Sequence, residues 1–193
     1  SVTLSNEGDA PIGGAGDLAG QALLQSGIVQ ASEAHLHGSE ITQSGSVLAN
    51  KASFGSFANL TGSTGSLVVS ELELMGGNGN PYSSSSVELA SPYNSIGSVK
   101  ASGAFSSLNL YSLSSVYLGS TFNTPENEMV ELPTLFVEQG DIRVKGNLTL
   151  GVGFAPIFTN STSGLLLAAT GNLNLGQKVL PGVQQTQETI YSN

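Results

Sequence analysis

Gly146-Asn147-Leu148-Thr149-Leu150-Gly151 is spelled again 25 residues later as Gly171-Asn172-Leu173-Asn174-Leu175-Gly176. Each copy is a leucine, a polar residue and a leucine, closed on both sides by glycine. Apolar side chains at i and i+2 share one face of an extended strand, and the residue between them faces the other way. Glycine and asparagine at the ends are turn formers. A period of this size is what a stack of repeated coils would give.

The same alternation runs outward through the chain. Leu72-Glu73-Leu74, Val87-Glu88-Leu89, Leu108-Asn109-Leu110 and Ile142-Arg143-Val144 each place apolar groups on one face and polar groups on the other. Gly, Asn or Ser-Gly ends these short runs, as turns end strands. An all-β fold follows, expected as a β-solenoid or β-helix-like stack of short strands with loop interruptions. A β-sandwich or jelly roll would show the same local alternation and is the alternative. One helix is expected over Asp17–Val29, where Asp17 would cap and Leu18, Ala22 and Leu23 have partial helical spacing.

Three regions are expected. Residues 1–26 carry few large apolar groups and read as an extended N-terminal arm. Residues 27–180 read as a β-rich, repeat-like domain, with loops at 76–86 (Gly76-Gly77-Asn78-Gly79-Asn80-Pro81 onward) and at 121–134 (around Asn123-Thr124-Pro125-Glu126). Residues 181–193 form a polar tail.

Composition narrows the function. Fourteen acids against five bases in 193 residues give a formal net charge of −9. Five basic side chains are too few to neutralise a phosphate backbone, so no nucleic-acid partner is expected. An acidic surface is repelled by anionic lipid, and the longest apolar run, Leu165 to Ala169, is far short of a membrane span. No membrane insertion is expected. No secretory signal pattern stands at Ser1, as is also expected of a processed chain. Cysteine is absent, which removes disulfides, thiol catalysis, zinc ribbons and iron–sulfur clusters.

The Gly-Asn-Leu-Thr-Leu strands and the stretch Ala52-Ser53-Phe54-Gly55-Ser56-Phe57-Ala58-Asn59-Leu60-Thr61-Gly62-Ser63 carry a resemblance in style. The chain resembles the β-helical stalk segments of bacteriophage tail fibres and is similar to filamentous-haemagglutinin-type β-solenoids, over roughly Gly27–Leu74 and Gly140–Gly176. The resemblance implies an elongated, non-enzymatic, surface-exposed protein, trimeric in many of the phage cases. Irregular repeat length and the two loop breaks depart from a long uniform rod.

Few constellations carry chemistry. Glu33, His35 and His37 alternate and would share a strand face. The resemblance implies a metal held by His35 and His37 of several symmetric chains, because this sequence has no other histidine. Gly13 to Leu18 falls one residue short of the calcium-binding Gly-Gly-x-Gly-x-Asp pattern. Gly171 to Lys178 lacks the Lys-Ser/Thr ending of a phosphate loop. No Gly-x-Ser-x-Gly elbow occurs. Glu71, Glu73 and Glu88 are the carboxylates that a polysaccharide-cleaving β-helix would use, but tryptophan is absent and tyrosines number only 5. The sequons at Asn59, Asn147 and Asn160 are no more than composition predicts.

The expected function is therefore that of a non-enzymatic structural subunit of a homo-oligomeric assembly, in a virion fibre or spike or an extracellular filament. Copies of itself are the expected partners, through ends such as Ser1–Gly16 and Val183–Asn193, and no cofactor is expected. One alternative is an adhesin binding a host-surface glycan or receptor through Gly76–Ser86 and Thr121–Pro133. The other is a polysaccharide-cleaving enzyme.

Overall fold

The computed structural model describes residues 2–5, 22–76, 84–120, 135–151, 154–156 and 164–175. Every regular element among them is a strand. One sheet is built from β1 (Val2–Ser5), β3 (Ile28–His37), β5 (Ser46–Phe57), β7 (Ser66–Gly76), β9 (Ser95–Ser102), β11 (Val116–Ser120), β14 (Leu148–Leu150) and β17 (Leu173–Leu175), side by side in that order. We call it sheet A. Sheet B orders β15 (Phe154–Pro156), β12 (Leu135–Val137), β10 (Ala104–Ser112), β8 (Ser84–Leu89), β6 (Asn59–Thr61), β4 (Glu40–Gln43) and β2 (Ala22–Gln25). Next to β10, β13 (Gly140–Val144) also pairs, and β16 (Leu165–Ala169) pairs β13.

From β2 to β11 each strand lies in the opposite sheet to the one before it, so a strand and the next but one are sheet neighbours. Among the described residues every strand pairing is parallel, which removes the sandwich and jelly-roll alternative, since those folds are antiparallel. The reason is the connection. Corners such as Ser26-Gly27, Ser44-Gly45 and the single residue Ala58 turn the chain from one sheet into the other, and the return corner brings it back in its original direction.

Register quantifies the repeat. In sheet A successive rungs pair Ile28 with Ser46, Ser46 with Ser66 and Ser98 with Tyr117, steps of 18, 20 and 19 residues. Longer steps, Val68 with Ser95 and Val116 with Leu148, are of 27 and 32 residues. They span the two segments read as loops, of which 77–83 and 121–134 lie outside the described residues. The quoted motif is one rung on the next: Leu148, Thr149 and Leu150 pair with Leu173, Asn174 and Leu175. Gly146, at φ +147°, makes the preceding corner in a backbone conformation that side chains disfavour. Across the stack the Asn147 N–H donates to Ser115 Oγ (2.9 Å), and Asn147 Oδ1 accepts from the Asn172 N–H (2.8 Å). Asparagine recurs there because its carboxamide ties one corner to the next.

Alternation sorts the side chains. Leu72, Leu74, Val87, Leu89, Leu108, Leu110 and Ile142 are buried, while Glu73, Glu88, Asn109 and Arg143 between them face outward. Inward residues of both sheets merge into one core. They stack in columns, such as Leu36, Phe54, Leu74 and Ala101 in sheet A and Ile41, Leu60, Val87 and Leu108 in sheet B. Phe57 and Phe105 meet tilted, with centroids 6.4 Å apart. Parallel sheets usually have both faces covered by helices. Here each sheet covers one face of the other and leaves its second face to solvent.

Two expectations need correction. The segment expected to be helical, Asp17–Val29, contains β2 and the start of β3, and residues 17–21 lie outside the described residues. Short helices are marginal alone, and placing Leu23 beside Ile41 in a sheet column satisfies backbone and side chain together. The segment read as an arm, 1–26, is partly woven into the sheets: Val2–Ser5 pairs with Ala34–His37, and Ala22–Gln25 pairs with β4. The tail at 181–193 and the loop at 121–134 lie outside the described residues.

Candidate functional site

Register, rather than sequence proximity, gathers the charged groups. On the outer face of sheet A, one column carries Glu33, Lys51 and Glu71, and the next carries His35, Ser53, Glu73 and Lys100. Neighbouring strands run about 4.8 Å apart, within reach of side-chain contacts. Lys51 Nζ lies 2.8 Å from Glu73 Oε2 and 3.3 Å from Glu71 Oε1; Lys100 Nζ reaches Glu71 Oε2 at 2.7 Å. The hydrogen bond to Glu73, followed by that to Glu71, raises the Lys51 pKa above its ordinary value. Hydrogen bonding from Lys100, then from Lys51, holds the Glu71 carboxyl below the usual carboxylate range.

This disposes Glu71 against acid catalysis. A glycosidase general acid needs a carboxyl whose pKa is pushed up so that it holds a proton near neutrality. Glu71 is pushed the other way. It and Glu73 act as ion-pair partners for two of the five basic residues.

His35 and His37 alternate on β3 as expected, with Leu36 buried between them. His35 Nδ1 meets Ser53 Oγ at 2.6 Å, and its Nε2 lies 3.6 Å from Glu33 Oε2. His37 faces Gly55 across the strand pair, where the missing side chain leaves room for the imidazole. No group of three or more His, Asp or Glu side chains converges among the described residues.

Sheet B carries a second polar column: Glu88, Asn109 and Asp141 on β8, β10 and β13. Asn109 Nδ2 donates to Glu88 Oε2 (2.7 Å), and Asn109 Oδ1 accepts from the Asp141 N–H (3.0 Å). Arg143 donates through Nε and Nη2 to both Asp141 oxygens, at 2.7 and 2.8 Å, a two-pronged pairing that raises the guanidinium pKa. With Tyr111 these side chains line a shallow depression of about 240 Å³. Glu88, Asn109, Asp141 and Arg143 offer hydrogen bonds there and Ala90, Leu110 and Tyr111 apolar contact, a combination that can meet a hydroxyl-rich ligand. Among the described residues there is no helix long and apolar enough to cross a membrane.

Sequence reading singled out Glu71, Glu73 and Glu88 but missed Lys51, Lys100, Asn109, Asp141, Arg143 and Tyr111. Alternation places each of them on an outer face. Their adjacency depends on rung steps of unequal length, which no local pattern encodes. No family model, curated protein or solved structure matches this chain.

Proposed function

We propose that the chain is a β-solenoid serving as a non-enzymatic structural subunit of a homo-oligomeric, surface-exposed assembly, extracellular or on a virion. One observation carries the reading: short strands alternate between two parallel sheets, so that the molecule grows rung by rung along one axis. Such an architecture gains surface by adding rungs and offers extended faces for display. The ion pairing of Glu71 and Glu73 with Lys51 and Lys100 supports a structural use of the outer charges. Its partners are copies of itself, with neither nucleic acid nor membrane insertion involved. Sedimentation and electron microscopy of the full chain test the reading: particles larger than one chain, with a regular outline, are expected. A compact monomer at every concentration overturns it.

The depression at Glu88, Asn109, Tyr111 and Arg143 favours a second reading, an adhesin for a host-surface glycan. Glycan-array binding that Tyr111→Ala abolishes, by a protein that stays monomeric, would favour this reading over the first.

A further inference from the structure

We propose that His37 and Met75 hold one soft monovalent cation of the Cu(I) class over Gly55, on the outer face of sheet A. The site lies within a single chain and does not depend on how copies assemble.

The register makes the site. On the face opposite Leu36, Phe54 and Leu74, the strands β3, β5, β7 and β9 stack His37, Gly55, Met75 and Ser102 in one column. Neighbouring strands stand about 4.8 Å apart, so the backbones of His37 and Met75 are about 10 Å apart with the glycine between them. Both side chains lean into the space over that glycine. A Cβ on Gly55 would stand 2.6 Å from His37 Nδ1, 2.7 Å from its Cε1 and 3.3 Å from Met75 Cε. Any residue with a side chain would have to push one or both aside. The glycine thus lets an imidazole nitrogen and a thioether meet over one point, from positions far apart in sequence. His37 and Met75 are each half-buried, which leaves the pair open to an ion.

Donor chemistry selects the ion. An imidazole whose proton is on Nε2 offers the Nδ1 lone pair, and a thioether is a soft, polarizable donor. The rotatable bonds of Met75 let the sulfur beside Cε turn toward a cation on Nδ1. Hard Ca²⁺ and Mg²⁺ need oxygen ligands, and structural Zn²⁺ takes four ligands. No third His, Asp or Glu converges here among the described residues. Two neutral donors, one of them sulfur, suit Cu(I), which soft ligands select. A formal net charge of −9 favours a cation at the surface. The pair differs from the His35–His37 pair expected from sequence: His35 turns its Nδ1 to Ser53 Oγ at 2.6 Å.

Titration of the full-length chain tests this, with Cu(I) kept reduced under ascorbate in competition with a coloured chelator, and with Ag(I) as a redox-inert probe in NMR spectra. One equivalent is expected to bind, shifting the Met75 methyl and His37 ring signals together. Met75→Leu conserves volume and should keep the circular dichroism while weakening binding by about tenfold or more. Gly55→Ala should weaken it similarly by filling the ion's place, and His35→Ala should change it less than about twofold. Failure of the unaltered chain to bind would leave the contact as packing alone and overturn the proposal. A loss on His35→Ala as large as on His37→Ala would put the ion between the two histidines, and also overturn it. So would Zn²⁺ binding as tightly as Cu(I), or affinity indifferent to Met75→Leu.

Discussion

The middle rungs and the end rungs use the same strand pairing and the same alternation, yet they bury their side chains to different extents. Phe54, Leu60, Leu72 and Leu74 in the middle are fully covered, whereas Leu23, Val29, Leu165 and Leu173 at the ends are half-covered. Burial is thus a property of a rung's neighbours more than of its own sequence. In a stack that contacts only the rung on either side, stability is close to a sum of rung and interface contributions.

Truncating Phe54 to alanine opens a cavity closed on every side and should cost about 3–5 kcal/mol. Leu173→Ala at the end should cost only about 1 kcal/mol, because the leucine there is covered on one side. Denaturant titration of both variants measures the difference, and equal losses would contradict a rung-by-rung account.

Corners offer a second contrast. Asn94 is buried, with Oδ1 accepting from the Leu67 N–H (2.9 Å) and Nδ2 donating to the Leu89 carbonyl (2.9 Å). Asn94→Ala strips both of those partners and should cost about 2–3 kcal/mol. Asn147→Ala, at an exposed corner where water can replace the carboxamide, should cost about 0.5–1 kcal/mol. Thermal unfolding should rank the two variants in that order.

Gly103 turns the chain from β9 into β10 at φ +109°. Its surroundings have room for a methyl group, with the nearest heavy atom 3.5 Å from where a Cβ would stand. The cost of Gly103→Ala is therefore conformational, about 1 kcal/mol. Restoration of stability by a D-alanine at this position in semisynthetic protein would show that backbone strain, and not crowding, is responsible.

The smallest effect belongs to the ion-pair ladder, whose partly exposed pairs contribute about 0.2–1 kcal/mol each. Glu71 has a folded pKa below its unfolded value of about 4.3, so its contribution is complete above that pH and disappears as pH falls through the lower folded value. Lys51 behaves in the opposite sense: its contribution is complete below about pH 10.4 and disappears as pH rises through its raised folded value. Glu71→Gln should flatten the acid side of a melting-temperature profile, and Lys51→Met the alkaline side. A profile unchanged by either would show that the ladder is energetically idle.

Much of the core was legible in advance. Leu72-Glu73-Leu74 and Leu108-Asn109-Leu110 announce their inward and outward residues because a strand's period of two is local and independent of partners. The repeat at Gly146 and Gly171 announces its own register for the same reason, since both copies meet one set of corner constraints. The candidate sites were less legible. Glu88, Asn109 and Asp141 are 21 and 32 residues apart in sequence and adjacent in space, and the second step includes the segment read as a loop. Ala22–Gln25 went the other way: its spacing suited a weak helix, and the open edge beside β4 claimed it as a strand.

Composition and alternation alone were enough to specify an all-β chain without cysteine chemistry, with one apolar face per strand, because those properties are set within a few residues of backbone. Parallel pairing, the Lys51–Glu71–Lys100 ladder, the Glu88–Arg143 depression and the half-covered ends emerge only from the packed chain. They depend on which rung lies against which, and that is settled by corner geometry and by core columns joining residues 18 to 32 positions apart.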